Sequence, residues 1–134
     1  MGLLLALLLF SFQSCELEED VVGSIRILSV TPNSELTVGM PTDFTIKVEY
    51  ELYNASQGEL NVGFNTISKD VAHLVSSETV VINEGSGQHT FNPTDIAPKN
   101  WAPDGHFVAY VNISEYPHGS SWTPLDIDLL ILSF

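Results

Sequence analysis

The thiol of Cys15 is the only cysteine side chain in this chain of 134 residues. It follows a charge-free apolar stretch, Gly2–Phe12, and precedes an acidic run that begins at Glu16. One cysteine cannot form an intramolecular disulfide, so the chemistry open to this thiol is covalent modification. The apolar stretch is shorter than the roughly 18 residues that a membrane-spanning helix needs. With the small residue Ser14 after it, the stretch is typical of a cleaved secretory signal.

The segment Phe12-Gln13-Ser14-Cys15 resembles a bacterial lipobox, in which the cysteine receives a diacylglycerol thioether and an N-acyl chain. The small residue before the cysteine matches that motif, while Phe12 and Gln13 differ from the usual Leu and Ala or Ser. A lipobox followed by acidic residues is similar to the small surface lipoproteins of the Bacteroidetes. The resemblance covers about the first 20 residues, and two or more acyl chains are enough to hold a protein stably on a membrane.

This resemblance implies a division of the chain into three parts. Residues 1–14 are a lipoprotein signal peptide, residues 15–23 are the lipidated Cys15 with an acidic tether, and residues 24–134 form the folded domain. It also implies an outer-membrane lipoprotein of the cell envelope, exposed at the cell surface. The alternative is a secreted protein with an ordinary signal peptide, in which Asn54-Ala-Ser56 and Asn112-Ile-Ser114 would be glycosylation sequons. The position of Cys15 favours the lipoprotein.

The stretch Glu115–Thr123 (EYPHGSSWT) is the most site-like segment of the folded part. Flat rings stack and polar tips give direction, so its aromatic residues suit a sugar or a protein loop. The favoured alternative is that Trp122 packs onto the core as a lid, because a large aromatic residue near a strand usually packs. Trp101 is predicted to fill the opposite end of the domain. The residues predicted to form the ligand site are Tyr116, His118 and Trp122, with Asn54 and Gln57 nearby.

Signatures of enzymes and of metal sites are absent from the sequence. It has no Gly-x-Ser-x-Gly elbow, no glycine-rich phosphate loop and no His-Glu-x-x-His motif. Its four histidines are scattered without zinc spacing. Asp126 and Asp128 share one face of a predicted strand but do not form a calcium loop. We therefore expect no catalysis, no cofactor and no bound metal.

The elements that must position these residues are predicted to be strands, because apolar residues alternate with polar ones almost throughout. Turn-forming residues at Asn54–Gly58 and Glu84–Gly87 predict two hairpins. The predicted strands are Ser24–Val30, Asp43–Tyr53, Glu59–Ile67, Glu78–Asn83, Gly87–Phe91, His106–Ser114 and Pro124–Phe134.

About seven short strands in a chain of this length are typical of a two-sheet antiparallel sandwich. The pattern resembles an immunoglobulin-like or fibronectin type III-like module without the buried cysteine pair of antibody domains. In such a fold alternate loops lie at the same end, which would bring Asn54–Gly58, Asn83–Gly87 and Glu115–Thr123 together. Strand count supports a fold class and not a function.

The charge of the chain restricts its partners. It has 17 acidic residues against 4 basic ones, a net charge of −13. Nucleic acids and anionic lipid headgroups would be repelled, so we expect neither as a ligand.

Three functions remain open. The first is a non-enzymatic, lipid-anchored protein of the cell envelope, a binding or adhesion module displayed at the cell surface, with a glycan or an envelope protein as ligand. The second is a structural accessory subunit of an envelope complex that docks through a sheet edge, for which the apolar last strand Leu125–Phe134 is the candidate. The third, a small hydrolase, is the least favoured.

Overall fold

The structure, a computed structural model, describes residues 20–66, 75–100, 106–118 and 123–134. Cys15, Trp101 and Trp122 fall outside these ranges, as do the predicted signal peptide and most of the tether. Within the ranges there is no helix, and so none long and apolar enough to cross a membrane. The strands are β1 (Val22–Thr31), β2 (Thr45–Asn65), β3 (Val75–Phe91), β4 (Phe107–Glu115) and β5 (Asp126–Leu132).

The strands form one antiparallel sheet in the order β1-β2-β4-β5, with β3 also paired to β2. The first half of β2 lies between β1 and β3, and its second half lies between β3 and β4. The register with β3 changes midway, because Leu52 lies opposite Gly85 whereas Gln57 lies opposite Asn83. The residues between Leu52 and Gln57 therefore face Glu84 alone, and the sheet curls at this bend.

The prediction of an all-β antiparallel fold is confirmed, but the two predicted hairpins are wrong. The chain continues without reversing direction through Asn54–Gly58 within β2 and through Glu84–Gly87 within β3, so the structure has five strands where seven were predicted. The turn-forming residues form the bend in β2 and β3, and they do not form hairpin turns. Asn54 has a φ of 68° and Gly85 a φ of 122°, and both conformations belong to the left-handed side that these residue types tolerate best.

The core lies on the inner face of the curled sheet. Alternate residues of β2 point inward, and Ile46, Val48 and Leu52 are fully buried. Three phenylalanine rings form the centre of the core. The ring of Phe64 lies 4.8 Å from that of Phe44 and 5.2 Å from that of Phe107 between centroids. These contacts join the entry of β2, its end and the start of β4 into one cluster.

The first and last strands meet through side chains and not through a backbone ladder. The N–H groups of Ile25 and Ile27 in β1 donate to Oδ2 of Asp126 and Asp128 in β5, at 2.9 and 2.8 Å. In each carboxylate the other oxygen, Oδ1, accepts the N–H of the next residue in β5. The edges of β1 and β5 are thus joined by a pair of carboxylates, a contact we call the β1–β5 seam.

Candidate functional site

The end of β4 lies against the middle of β2, which brings three of the predicted site residues together, Gln57, Tyr116 and His118. Gly58 pairs with Glu115 in the sheet, and the N–H of Tyr116 donates to the carbonyl oxygen of Gln57 at 3.2 Å. The backbone at Gln57 therefore fixes the point at which Tyr116 leaves the sheet. Tyr116 as a whole residue is 38% exposed.

His118 supports Tyr116 and is itself held in place by the sheet. The two rings meet edge to face, with centroids 6.2 Å apart and planes at 83°. Nε2 of His118 lies 3.2 Å from Oγ of Ser114 and 3.4 Å from Oε1 of Glu59. Ser114 and Glu59 are register partners on β4 and β2, so both neighbours of the imidazole come from rigid strands. We call Gln57, Glu59, Ser114, Tyr116 and His118 the end cluster.

Ser114, His118 and Glu59 have the residue types of an acyl-transfer triad but not its arrangement. In such a triad the serine contacts one ring nitrogen and the carboxylate contacts the other. Here both contacts are made at Nε2. Ser114 is also only 1% exposed, so a substrate carbonyl has no path to its hydroxyl. The geometry orients the imidazole, and it does not activate a serine nucleophile.

Sequence reasoning missed Glu59 and Ser114 as members of the end cluster. Alternation places each of them on the face of its strand opposite to the core residues Leu60 and Ile113, and this was readable from the sequence. Their proximity depends on the register of β2 against β4, two strands far apart along the chain. No local pattern contains that register.

Asn54, a predicted site residue, has a structural role at the bend. Its N–H donates to Oε2 of Glu84 at 2.8 Å, and its side-chain Nδ2 donates to the carbonyl oxygen of Asp20 at 2.9 Å. These bonds tie β2 to β3 and to the segment that precedes β1. No contact among the described residues joins Asn54 to Tyr116 or His118. Trp122, the remaining predicted site residue, lies outside the described residues.

A second surface feature is a groove of about 610 Å³ on the first half of the sheet. Its outward side chains form two rows across β1, β2 and β3, because Ser24 and Ser86 flank Glu51 while Arg26 and Gln88 flank Glu49. Between the rows, Ile25, Tyr50 and Gly87 also line the groove. Sequence reasoning did not identify it, because its floor is assembled from three strands.

Carboxylates and histidines do not converge as a metal site would require. Within the described ranges no group of three or more His, Cys, Asp or Glu side chains is placed to hold an ion. The end cluster contains one histidine and one carboxylate, and the seam carboxylates are occupied by backbone N–H groups.

Comparison with known proteins gives a likeness of fold only. No protein-family model matches the chain, and no curated protein matches it. Among solved structures, a proposed β-galactosidase from Bacteroides fragilis aligns over 84% of this chain and 17% of its own, with a TM-score of 0.54 and 11% identity. A β-glucuronidase from glycoside hydrolase family 2 aligns over 82% and 11%, with a TM-score of 0.50 and 14% identity. The chain is thus similar to a small β-structured part of these enzymes.

Proposed function

We propose that this chain is a non-enzymatic binding module, held at the outer surface of the cell envelope by lipid on Cys15, which contacts its ligand through the end cluster. The observation that carries the proposal is the exposed ring of Tyr116, held edge to face by His118, which Ser114 and Glu59 orient in turn. A ring fixed before binding loses little conformational freedom when a ligand arrives. The ligand is a surface glycan or an envelope protein.

The finer fold is part of the same proposal. We infer that the curled sheet is a two-layer sandwich of the immunoglobulin type. The bend of β2 and β3 supports this, because it divides each long strand into two halves with different neighbours. Counting the halves separately yields seven strand segments, the number that the sequence predicts.

The two enzymes similar in fold are named for β-galactosidase and β-glucuronidase activity. This chain aligns with 17% and 11% of their lengths, so the likeness supports a shared fold and not their activity. The arrangement at Ser114 and His118 also favours binding over acyl transfer.

The anchor is tested by labelling cells that express the full chain with a palmitate analogue. The wild-type protein should incorporate the label and remain with membranes, whereas Cys15→Ser should do neither, because serine offers no sulfur for the thioether. Protease treatment of intact cells then reports display at the surface. A mature protein that carries an unmodified thiol and is shed into the medium would refute the anchor.

The contact is tested by titrating purified full chain with envelope polysaccharides and with purified envelope proteins while tryptophan fluorescence is followed. For a ligand that binds, Tyr116→Ala should weaken affinity about tenfold, because stacking on one ring is worth on the order of 1 kcal/mol. Trp122→Ala tests the other predicted aromatic. Val38→Ala, which shortens an exposed side chain outside the end cluster, is the control. Unchanged affinity in both aromatic variants would exclude the end cluster.

One observation favours the second function, a structural subunit that docks by a sheet edge. Along its length β3 pairs with β2 alone among the described strands, so its other side is an edge. The last strand is less suited, because its far side meets β1 at the seam. A photo-crosslinking residue at position 81, in the middle of β3, should then capture one envelope protein in cells, and the same residue at position 127 should not.

A further inference from the structure

The groove on the first half of the sheet has the size of a ligand site. Its volume of about 610 Å³ lies within the range of roughly 300–1,000 Å³ that small-molecule sites occupy. Its walls belong to three hydrogen-bonded strands and not to loops, so the lining is held in place before a ligand binds. Two rows of outward side chains lie about 7 Å apart along strands spaced about 5 Å apart.

The lining is rich in hydrogen-bonding groups of both kinds. Ser24 and Ser86 carry hydroxyls that donate and accept, and Gln88 carries an amide that does the same. Arg26 forms an ion pair with Glu49, and both side chains remain partly exposed, at 66% and 39%. A ligand that fills this groove must therefore offer many donors and acceptors within a short distance.

The charge of the lining limits the ligand further. Glu49 neutralises Arg26, so Glu51 leaves the groove with a net negative charge, in a molecule whose own net charge is −13. Anionic ligands such as uronic acids or phosphates are disfavoured by this field. A metal ion is disfavoured as well, because among the described residues no third metal-binding side chain joins Glu49 and Glu51.

An exposed aromatic ring lies just beyond one end of the groove. Tyr53 follows Glu49 and Glu51 on the same face of β2, and it is 44% exposed. Its partner across the sheet is Val22, which is 54% exposed, so the two side chains form an apolar border. A flat apolar face beside a row of hydroxyl and amide groups matches a sugar ring, which has apolar C–H faces and hydroxyls around its rim.

We propose that this groove, with Tyr53 at its end, binds a neutral saccharide segment of a polysaccharide. The hydroxyls of the sugar bond to the lining of the two rows, and one ring stacks on Tyr53. The proposal deepens the proposed function by naming a ligand class and a second contact surface. It rests on that function only for display outside the cell.

The test is calorimetric titration of the purified full chain with cellotetraose, maltotetraose, mannotetraose and xylotetraose, in a detergent without a sugar headgroup. Tetragalacturonate is the charged comparison. At least one neutral tetrasaccharide should bind, and tetragalacturonate should bind more weakly than it by about tenfold or more, because the groove is negative. No binding by any of the four neutral sugars, or tighter binding of the uronate, would overturn the proposal.

Variants locate the site. Tyr53→Ala and Gln88→Ala should each weaken binding of the tetrasaccharide about fivefold to tenfold, through loss of stacking and of a hydrogen bond. Thr79→Ala, on the same strand as Gln88 but outside the groove, should leave it unchanged, and Tyr116→Ala, in the end cluster, is measured beside it. Each variant is first compared with wild type by circular dichroism, and Ser24→Ala replaces any that does not fold.

These variants also separate this proposal from the proposed function. Loss of affinity in Tyr116→Ala with no change in Tyr53→Ala would overturn the groove and support the end cluster. The reverse result would support the groove. If the mature protein is found to carry no lipid on Cys15 and still binds a neutral tetrasaccharide, the anchor is refuted and the groove is supported.

Discussion

The backbone at Asn54 adopts a conformation that most residues avoid. Its φ of 68° is in the left-handed region, where asparagine and glycine are the residue types found most often. The two bonds that it makes, to Glu84 and to the carbonyl of Asp20, hold the bend of β2 against its neighbours. Asn54, which the sequence predicts as a ligand contact, thus makes hydrogen bonds that hold the bend.

Replacing Asn54 tests this role. Asn54→Ala should be less stable than Asn54→Gly by about 1 kcal/mol in the free energy of unfolding, because alanine pays the left-handed penalty and glycine does not. Urea denaturation of both variants measures the difference. At Asn83, an exposed strand residue without a positive φ, the order should reverse. If alanine is more stable than glycine at both positions, the conformation of Asn54 carries no strain.

Tyr110 provides a prediction for alkaline pH. Burial raises the pKa of its phenol above the ordinary value, because the charged form is poorly solvated there. The unfolded chain then loses this proton at lower pH than the folded one, so the stability is present below about pH 10 and is lost as the pH rises through the folded-state pKa. Tyr110→Phe should flatten the fall in unfolding free energy above pH 10. An equal fall in both proteins would contradict the prediction.

At the scale of elements, the β1–β5 seam replaces a backbone ladder by side chains. Each seam carboxylate accepts one N–H from its own strand and one from β1. The spacing of Asp126 and Asp128 matches that of Ile25 and Ile27, since alternate residues of a strand point the same way. The seam covers the outer edge of β1, which otherwise would be open to another chain.

Removing a seam carboxylate should weaken this contact. Asp128→Ala should lower the free energy of unfolding by about 1–2 kcal/mol, because it leaves two N–H groups without their acceptor. Hydrogen exchange at the amide of Ile27 should quicken in the same variant. Glu115→Ala removes an equal charge from an exposed position and is the control. If both variants lose the same stability, the effect is one of net charge and the seam is not required.

For the whole molecule, the net charge lowers the stability of the folded state, and no disulfide within the chain raises it. A chain with a net charge of −13 repels itself in the compact state, and one cysteine offers no internal crosslink. The apolar core must offset this repulsion. Its centre is the group of phenylalanine rings at Phe44, Phe64 and Phe107, each at most 1% exposed.

Added salt should therefore stabilise the protein. The free energy of unfolding in urea should rise with sodium chloride between low and physiological ionic strength, since screening weakens the repulsion among acids. A variant with Glu35→Gln and Glu115→Gln, both exposed acids, should show a smaller rise. A free energy that falls with salt would mean that attractive pairs such as Arg26–Glu49 outweigh the repulsion.

The fold class and the two faces of each strand could be predicted from the order of the amino acids. Alternation along Asp43–Tyr53 predicted which residues of β2 are buried, and Ile46, Val48 and Leu52 are. Such patterns are local, because successive side chains of a strand point to opposite faces and burial selects one of them. The charge and the single cysteine were equally readable, and with them the expectation of a lipid anchor.

Which segments continue as one strand, and which strands become neighbours, depends on the three-dimensional packing of the chain. Turn-forming residues at Asn54 and Gly85 indicate a departure from regular strand, but the same φ values serve a hairpin or a bend, and the partner strands select between them. The contact of His118 with Glu59, the seam and the groove all depend on registers between strands distant in the chain. A register is fixed by the packing of whole faces, so no short segment encodes it.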